Sequence, residues 1–130
     1  MQTIAVFKLN QVLGRFYADA VNAFLQKYSL DKTRIDAIAS HGQTIFHQPE
    51  DGYTVQLGCG STLAYHSGLP VINDFRSLDI AAGGQGAPLV PIGDQLLFGA
   101  YADAFINIGG FANISFNMDE RTLAFDVCPG

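Results

Sequence analysis

Ile35-Asp36-Ala37-Ile38-Ala39-Ser40-His41-Gly42-Gln43-Thr44-Ile45-Phe46-His47 is the stretch on which the reading of the fold turns. Ile35 to Ser40 reads as a short buried strand whose C-terminal end delivers His41 and Gly42 to a polar, glycine-punctuated loop. Upstream, residues 10–28 carry a helical period. Val12, Leu13, Phe16, Ala20, Phe24, Leu25 and Tyr28 recur at three- and four-residue steps, with Asn10 as the N-cap. Downstream, Tyr53 to Leu57 reads as a second strand after the turn Pro49-Glu50-Asp51-Gly52. Ser61 to His66 reads as a short helix ended by Gly68, and Pro70 to Asn73 as a third strand. Residues 77–88 are glycine-rich and aperiodic and read as a functional loop or hinge. Leu89 to Gly99 reads as a helix with Leu89, Ile92, Leu96 and Leu97 on one side. Ala104 to Ile108 and Asn113 to Phe116 alternate as strands around Gly109-Gly110, and Leu123 to Val127 adds another. Strands mixed with helices in this order make an α/β protein.

Composition narrows the class. The chain has 130 residues, enough for one domain that buries roughly two-thirds of its unfolded surface. With 48% hydrophobic and 15% charged residues it packs rather than staying disordered. So low a charge fraction also predicts that part of the surface faces something outside this chain. A net charge of −5 without a basic cluster argues against a nucleic-acid partner. No apolar run approaches the roughly 20 residues that span a bilayer, so no membrane partner is expected. Cys59 and Cys128 make no disulfide framework, and free thiols in a cytoplasmic protein are the default.

Several motifs invite chemistry. Gly58-Cys59-Gly60-Ser61 stands between a strand and a helix, as nucleotide pockets often do, and Asp74 ends the next strand where a ribose-binding acid would stand. The third glycine of the dinucleotide fingerprint is missing, with Leu63 in its place, so a plain tight turn is the better reading. His41, His47 and His66 lack metal-ligand spacing, so no metal is expected on protein ligands. A Gly-x-Ser-x-Gly elbow is absent, and Cys128 has no neighbouring histidine to activate it. His41 reads equally as a hydrogen-bonded loop residue or a ligand contact. The hairpin from Phe105 to Phe116 exposes backbone amides at Gly109-Gly110, a geometry suited to phosphate oxygens, with Asn107 and Asn113 beside it; an ordinary hairpin carries the same pattern. Asp126 ends a strand, where a carboxylate either caps a turn or takes a proton from substrate.

The blocks His41-Gly42-Gln43-Thr44-Ile45-Phe46-His47, Asn73 through Pro91, Asn107 through Phe116 and Phe125-Asp126-Val127-Cys128-Pro129-Gly130 together resemble the anhydro-N-acetylmuramic acid kinase family, in the family's order. The resemblance runs from about Leu13 to Asp126. It implies an actin-like ATPase (ribonuclease H-like) sugar kinase fold, present here incompletely, with two lobes and ATP in the cleft between them. It implies ATP and Mg²⁺ as cofactors, an amino sugar as substrate and a cytoplasmic location; a homodimer belongs to the rival reading below, through the surface the missing lobe would cover. Family enzymes use water and ATP to open the 1,6-anhydro ring of anhydro-N-acetylmuramic acid and phosphorylate its 6-oxygen, in peptidoglycan recycling. By motif match Asp126 is the general base. His41, Gln43, Gly84, Gln85, Gly86, Asn107, Gly109 and Gly110 face the substrate or nucleotide cleft.

On this reading residues 1–80 are the C-terminal portion of the first lobe and 81–130 the beginning of the second, with the boundary near Arg76 to Ala87. The family's opening Met-Ser-Gly-Thr-Ser-type phosphate loop has no counterpart, and Asp-Val-Cys-Pro replaces the commoner Asp-Thr-Gly-Pro. The chain alone is therefore expected to be an inactive middle segment. The rival reading is a stand-alone dimeric binding or interaction module without catalysis.

Overall fold

A computed structural model describes residues 3–118 and 121–129. Gly130 of the last sequence block lies outside the described residues. The chain divides into two compact units, residues 1–86 and 87–130, and both mix helices with small sheets.

In the first unit, helix α1 spans Thr3–Lys27. It starts a full two turns before the expected N-cap, and Asn10 lies inside it. The residues that turn inward are not the most hydrophobic ones. Gly14, Ala18 and Leu25 are buried, with Val6, Asn10, Leu13, Tyr17 and Asn22 half-buried between them, a stripe of three- and four-residue steps. Phe7, Val12, Phe16 and Phe24 instead point outward, each more than half exposed. The helix is apolar on more than one side, and small residues choose the packed one because they let backbones approach.

That face packs on helix α2, Gly60–Ser67. The last carbonyls of α2 would be orphans at a helix end. Asn22 Nδ2 donates to His66 O (3.0 Å) and Lys32 Nζ to Ser67 O (2.7 Å), and Gly68 closes the helix in the left-handed region. Strands β1 (Ile38–Ser40) and β4 (Val71–Asn73) pair in parallel, Ser40 opposite Asn73. Strands β2 (Gln43–Gln48) and β3 (Tyr53–Leu57) form an antiparallel hairpin with an irregularity between Thr44 and Phe46. Thus β1 is half the expected length, and the polar run after His41 is mostly strand rather than loop. Thr44, Ile45 and Phe46 are β-formers, and the turn at Pro49–Asp51 supplies β3 as their partner. The start of the expected 77–88 loop is likewise ordered, as helix α3, Ser77–Ala81.

The second unit is one helix on one sheet. Helix α4 spans Leu89–Phe98, with Pro91 in the first turn, where a missing N–H costs no intrahelical bond. Strands β5 (Ala104–Ile108), β6 (Phe111–Met118) and β7 (Arg121–Pro129) form an antiparallel sheet in that order. The side of α4 expected to pack is the outer one: Leu96 is 79% and Leu97 69% exposed. Asp94, Gln95 and Phe98 meet the sheet instead, through Asn107, Ser115, Thr122 and Phe105. Two hydrogen bonds from the sheet to Asp94 fix the helix's rotation against the pull of its leucines.

Candidate functional site

The first unit carries a cleft of about 220 Å³, lined by Ser40, His41, Gly42, Gln56, Asn73 and Asp74 among others. It opens where β1 and β4 end side by side, so the residue after each strand, His41 and Asp74, stands at its wall. Loops beyond the carboxyl ends of parallel strands are where α/β sheets place their ligands. Asp74 has φ of +59°, an uncommon value for a residue with a side chain, and its Oδ1 accepts from Ser77 N (3.3 Å) at the start of α3.

His41 is held on both sides. Arg76 Nε lies 2.8 Å from His41 Nε2, and His41 Nδ1 lies 2.9 Å from Gly42 O. A guanidinium can only donate and a carbonyl can only accept. Nε2 is therefore the acceptor and Nδ1 carries the proton. Both ring nitrogens are spent inside the protein, so His41 shapes the cleft by its ring. Gln43 does not line the cleft; its side chain donates to Thr44 O (3.2 Å) from β2.

The Gly84-Gln85-Gly86 segment folds around an acid that sequence reasoning missed. Asp79 Oδ2 accepts from Gly86 N (2.6 Å), and Asp79 O accepts from Gly84 N (2.8 Å). A Cβ on Gly84 would collide with the Asp79 carboxylate, and Gly86 has φ of +69°. Both glycines are needed for this wrap. Their amides are already bonded within the unit. The signal was available in the sequence, an aspartate on α3 a few residues before Gly-Gly-Gln-Gly.

Gly58-Cys59-Gly60 resolves in favour of a packing turn. Gly58 N donates to Asn10 Oδ1 (2.8 Å) and Cys59 N to Asn10 O (3.1 Å). The amides that would greet a phosphate thus belong to α1. A Cβ on Gly60 would stand 2.7 Å from the Asn73 side chain, so the close approach this glycine allows is to the cleft wall itself. Hydrogen bonds from the Thr62 side chain and then its amide hold the Cys59 thiol below its ordinary pKa.

In the second unit the site residues form a row. Asn107 of β5 opposes Asn113 of β6, which opposes Asp126 of β7. Directly opposed residues share a sheet face, and the bonds from Asn107 Nδ2 (3.1 Å) and Ser115 Oγ (3.0 Å) to Asp94 Oδ2 mark it as the α4 face. The register shifts beside Asp126: Cys128 opposes Ala112, then Val127 is skipped. Such irregularities re-aim side chains, and Asp126 is exposed. Gly109 and Gly110 form the two-residue turn between β5 and β6, and Gly109 N is committed to Phe111 O (3.1 Å). The tip therefore does not present two free amides. Asp94 is the other acid missed in the sequence, on a helix read by its apolar side of Leu89, Ile92, Leu96 and Leu97.

Among the described residues no group of three His, Cys, Asp or Glu is placed to hold a metal ion, and no helix is long and apolar enough to cross a membrane.

Comparison with known proteins adds what two small units alone do not show. The profile of the anhydro-N-acetylmuramic acid kinase family matches residues 1–130. Proteins named anhydro-N-acetylmuramic acid kinase from Shewanella denitrificans, Shewanella amazonensis and Methylobacterium nodulans are 46%, 48% and 49% identical, over 95%, 95% and 89% of this chain. The chain spans about a third of the length of these relatives (35%, 35% and 32%). A match along the whole chain settles the lineage: the protein belongs to the anhydro-N-acetylmuramic acid kinase family.

Proposed function

We propose that this polypeptide supplies part of the active site of an ATP-dependent kinase that converts 1,6-anhydro-N-acetylmuramic acid to N-acetylmuramic acid 6-phosphate. The observation that carries the reading is the family match over residues 1–130. Within it, Asp126 is a carboxylate left exposed beside a register shift. Its role is to take a proton from the water that attacks the anomeric carbon. As the new C–O bond forms, the bond from that carbon to the 6-oxygen breaks. The 6-oxygen takes the γ-phosphoryl group, and ADP leaves. The opposed Asn113 places an amide beside the carboxylate to orient sugar hydroxyls, and Asn107, next in the row, supports the site by holding α4 through Asp94.

His41 and the cleft at the ends of β1 and β4 contribute a sugar-facing wall, with Gln56, Asn73 and Asp74 as its polar groups. Gln43, Gly84, Gln85 and Gly86 belong to the same reading as near neighbours of the substrate. The side-chain bond of Gln43 and the amide bonds of Gly84 and Gly86 lie within the first unit, which gives these three a shaping role. ATP is the phosphoryl donor, with Mg²⁺ on its phosphates. The Gly109 amide is committed within its turn and is not free to meet a phosphate oxygen.

The parent architecture is the actin-like ATPase fold, with residues 1–80 in the first lobe and 81–130 opening the second. The division into units at Gly86 and Ala87 supports a boundary between Arg76 and Ala87. A cytoplasmic location accords with an intracellular nucleotide donor.

The test is a chimera in which these 130 residues replace the matching segment of the Shewanella amazonensis relative. A folded chimera that releases ADP only with the anhydro sugar, and loses that release with Asp126→Asn, is the expected result. A folded chimera that is inactive, or one indifferent to Asp126→Asn, would overturn the proposal.

A further inference from the structure

The cleft has a clamp whose parts are all in the first unit. Arg76 sits just before α3 and reaches two ways: its Nε donates to His41 Nε2 (2.8 Å) and its Nη1 to Gly86 O (2.8 Å). Asp79, one turn along, takes the amide of that same Gly86 (2.6 Å). Gly86 is therefore gripped at both its backbone N–H and its C=O, and it is the last residue of the first unit. Arg76 and Asp79 do not line the cleft, whereas His41 does.

We propose that Arg76 is a positioning residue: its guanidinium holds His41 in the Nδ1–H tautomer at the cleft wall and locks the glycine loop to the same point through Gly86. Three features carry this. The guanidinium is a rigid fork of donors, so the directions of its two bonds are fixed relative to each other. His41 has its second nitrogen tied to Gly42 O, which leaves the ring no freedom to turn without breaking a bond. Gly86 cannot drift without also losing the Asp79 carboxylate. The consequence is a cleft wall set before any ligand arrives, which spares binding the ordering of that side chain. Only the name of the ligand rests on the proposed function; the clamp stands or falls without it.

The experiment uses the 130-residue chain with ¹⁵N-labelled histidine and no sugar, at about pH 8, where an ordinary histidine is neutral. Wild type is expected to show the Nδ1–H tautomer at His41, with a slowly exchanging Gly86 amide. In Arg76→Lys a single ammonium cannot span both acceptors, so the His41 signature moves toward a tautomer mixture. In Asp79→Ala the Gly86 amide exchanges about tenfold faster, the scale of one lost hydrogen bond, while the His41 signature stays. An Nε2–H tautomer in wild type would overturn the proposal. So would a folded Arg76→Lys protein with an unchanged His41 signature, or Asp79→Ala with unchanged Gly86 exchange. Should Arg76→Lys fail to fold, the wild-type tautomer and Asp79→Ala still decide. Sugar binding plays no part in these readouts, so failure of the kinase reading would leave them untouched.

Discussion

The two acidic centres of this molecule are built in opposite ways. In the first unit Asp79 is enclosed by the loop it organises, and even the cleft-lining His41 has both nitrogens committed. In the second unit Asp126 stands exposed on a sheet strand, while Asp94 of α4 takes up the polar contacts that dock helix to sheet. A group whose hydrogen-bonding capacity is filled gives shape; a carboxylate left open can exchange a proton with a reactant. On the function proposed above, the first unit is a pre-set wall and the second holds the reactive carboxylate with its support. Substitutions should therefore separate along that line, in kind of effect as well as size.

The largest effect belongs to Asp126. In the chimera with the Shewanella amazonensis relative, Asp126→Asn should cut turnover by about 10²–10⁴-fold, the range of a lost general base. Because the residue is exposed, the melting of the folded chain should move by no more than about 0.5 kcal/mol. A large loss of stability would mean that Asp126 is a structural acid after all, and the contrast would be broken. Next comes Asp94→Ala, which strands the Asn107 amide and the hydroxyl of Ser115, itself only 2% exposed. Leaving such groups without an acceptor costs about 1–3 kcal/mol. Hydrogen exchange should show that loss in β5 and β6 with the first unit unaffected, and Asp94→Asn should recover part of it.

Much of this was legible in the chain, and the misses have a common physical cause. Tyr53–Leu57 and Ala104–Ile108 read correctly to the residue because alternation and turn residues bound them on both sides. The family blocks gave the lineage without any structure, and the family profile matches residues 1–130. Reading apolarity as inwardness failed on α1 and α4, where Phe16, Phe24, Leu96 and Leu97 face outward. A helix's period says which residues share a face but not which face is chosen. That choice was made by Gly14 and Ala18 in one case and by Asp94 in the other, a small residue and a polar one that hydrophobicity alone discards. The strand at Gln43–Gln48 was missed for a similar reason: its glutamines and histidine look like loop, yet its partner Tyr53–Leu57 was in plain view.

The smallest effects probe the wall rather than the reactive group. Gly60→Ala would place a methyl group 2.7 Å from the Asn73 side chain, at the edge of the cleft. An amide side chain can swing aside, so the cost in stability should be about 1 kcal/mol, at the low end for overpacking. The swing takes Asn73 out of its cleft position, and weaker binding of the anhydro sugar without loss of fold is the expected signature. Next door, Cys59 offers a finer gauge of the same turn. The Thr62 hydrogen bonds favour its thiolate, so alkylation by iodoacetamide should persist to lower pH than for a free cysteine. Thr62→Val removes the hydroxyl contribution and should shift that pH profile upward toward the ordinary thiol. If the profile does not move, the turn between β3 and α2 is not held as described, and the pre-set wall loses the support that Gly60 and Asn73 are argued to share.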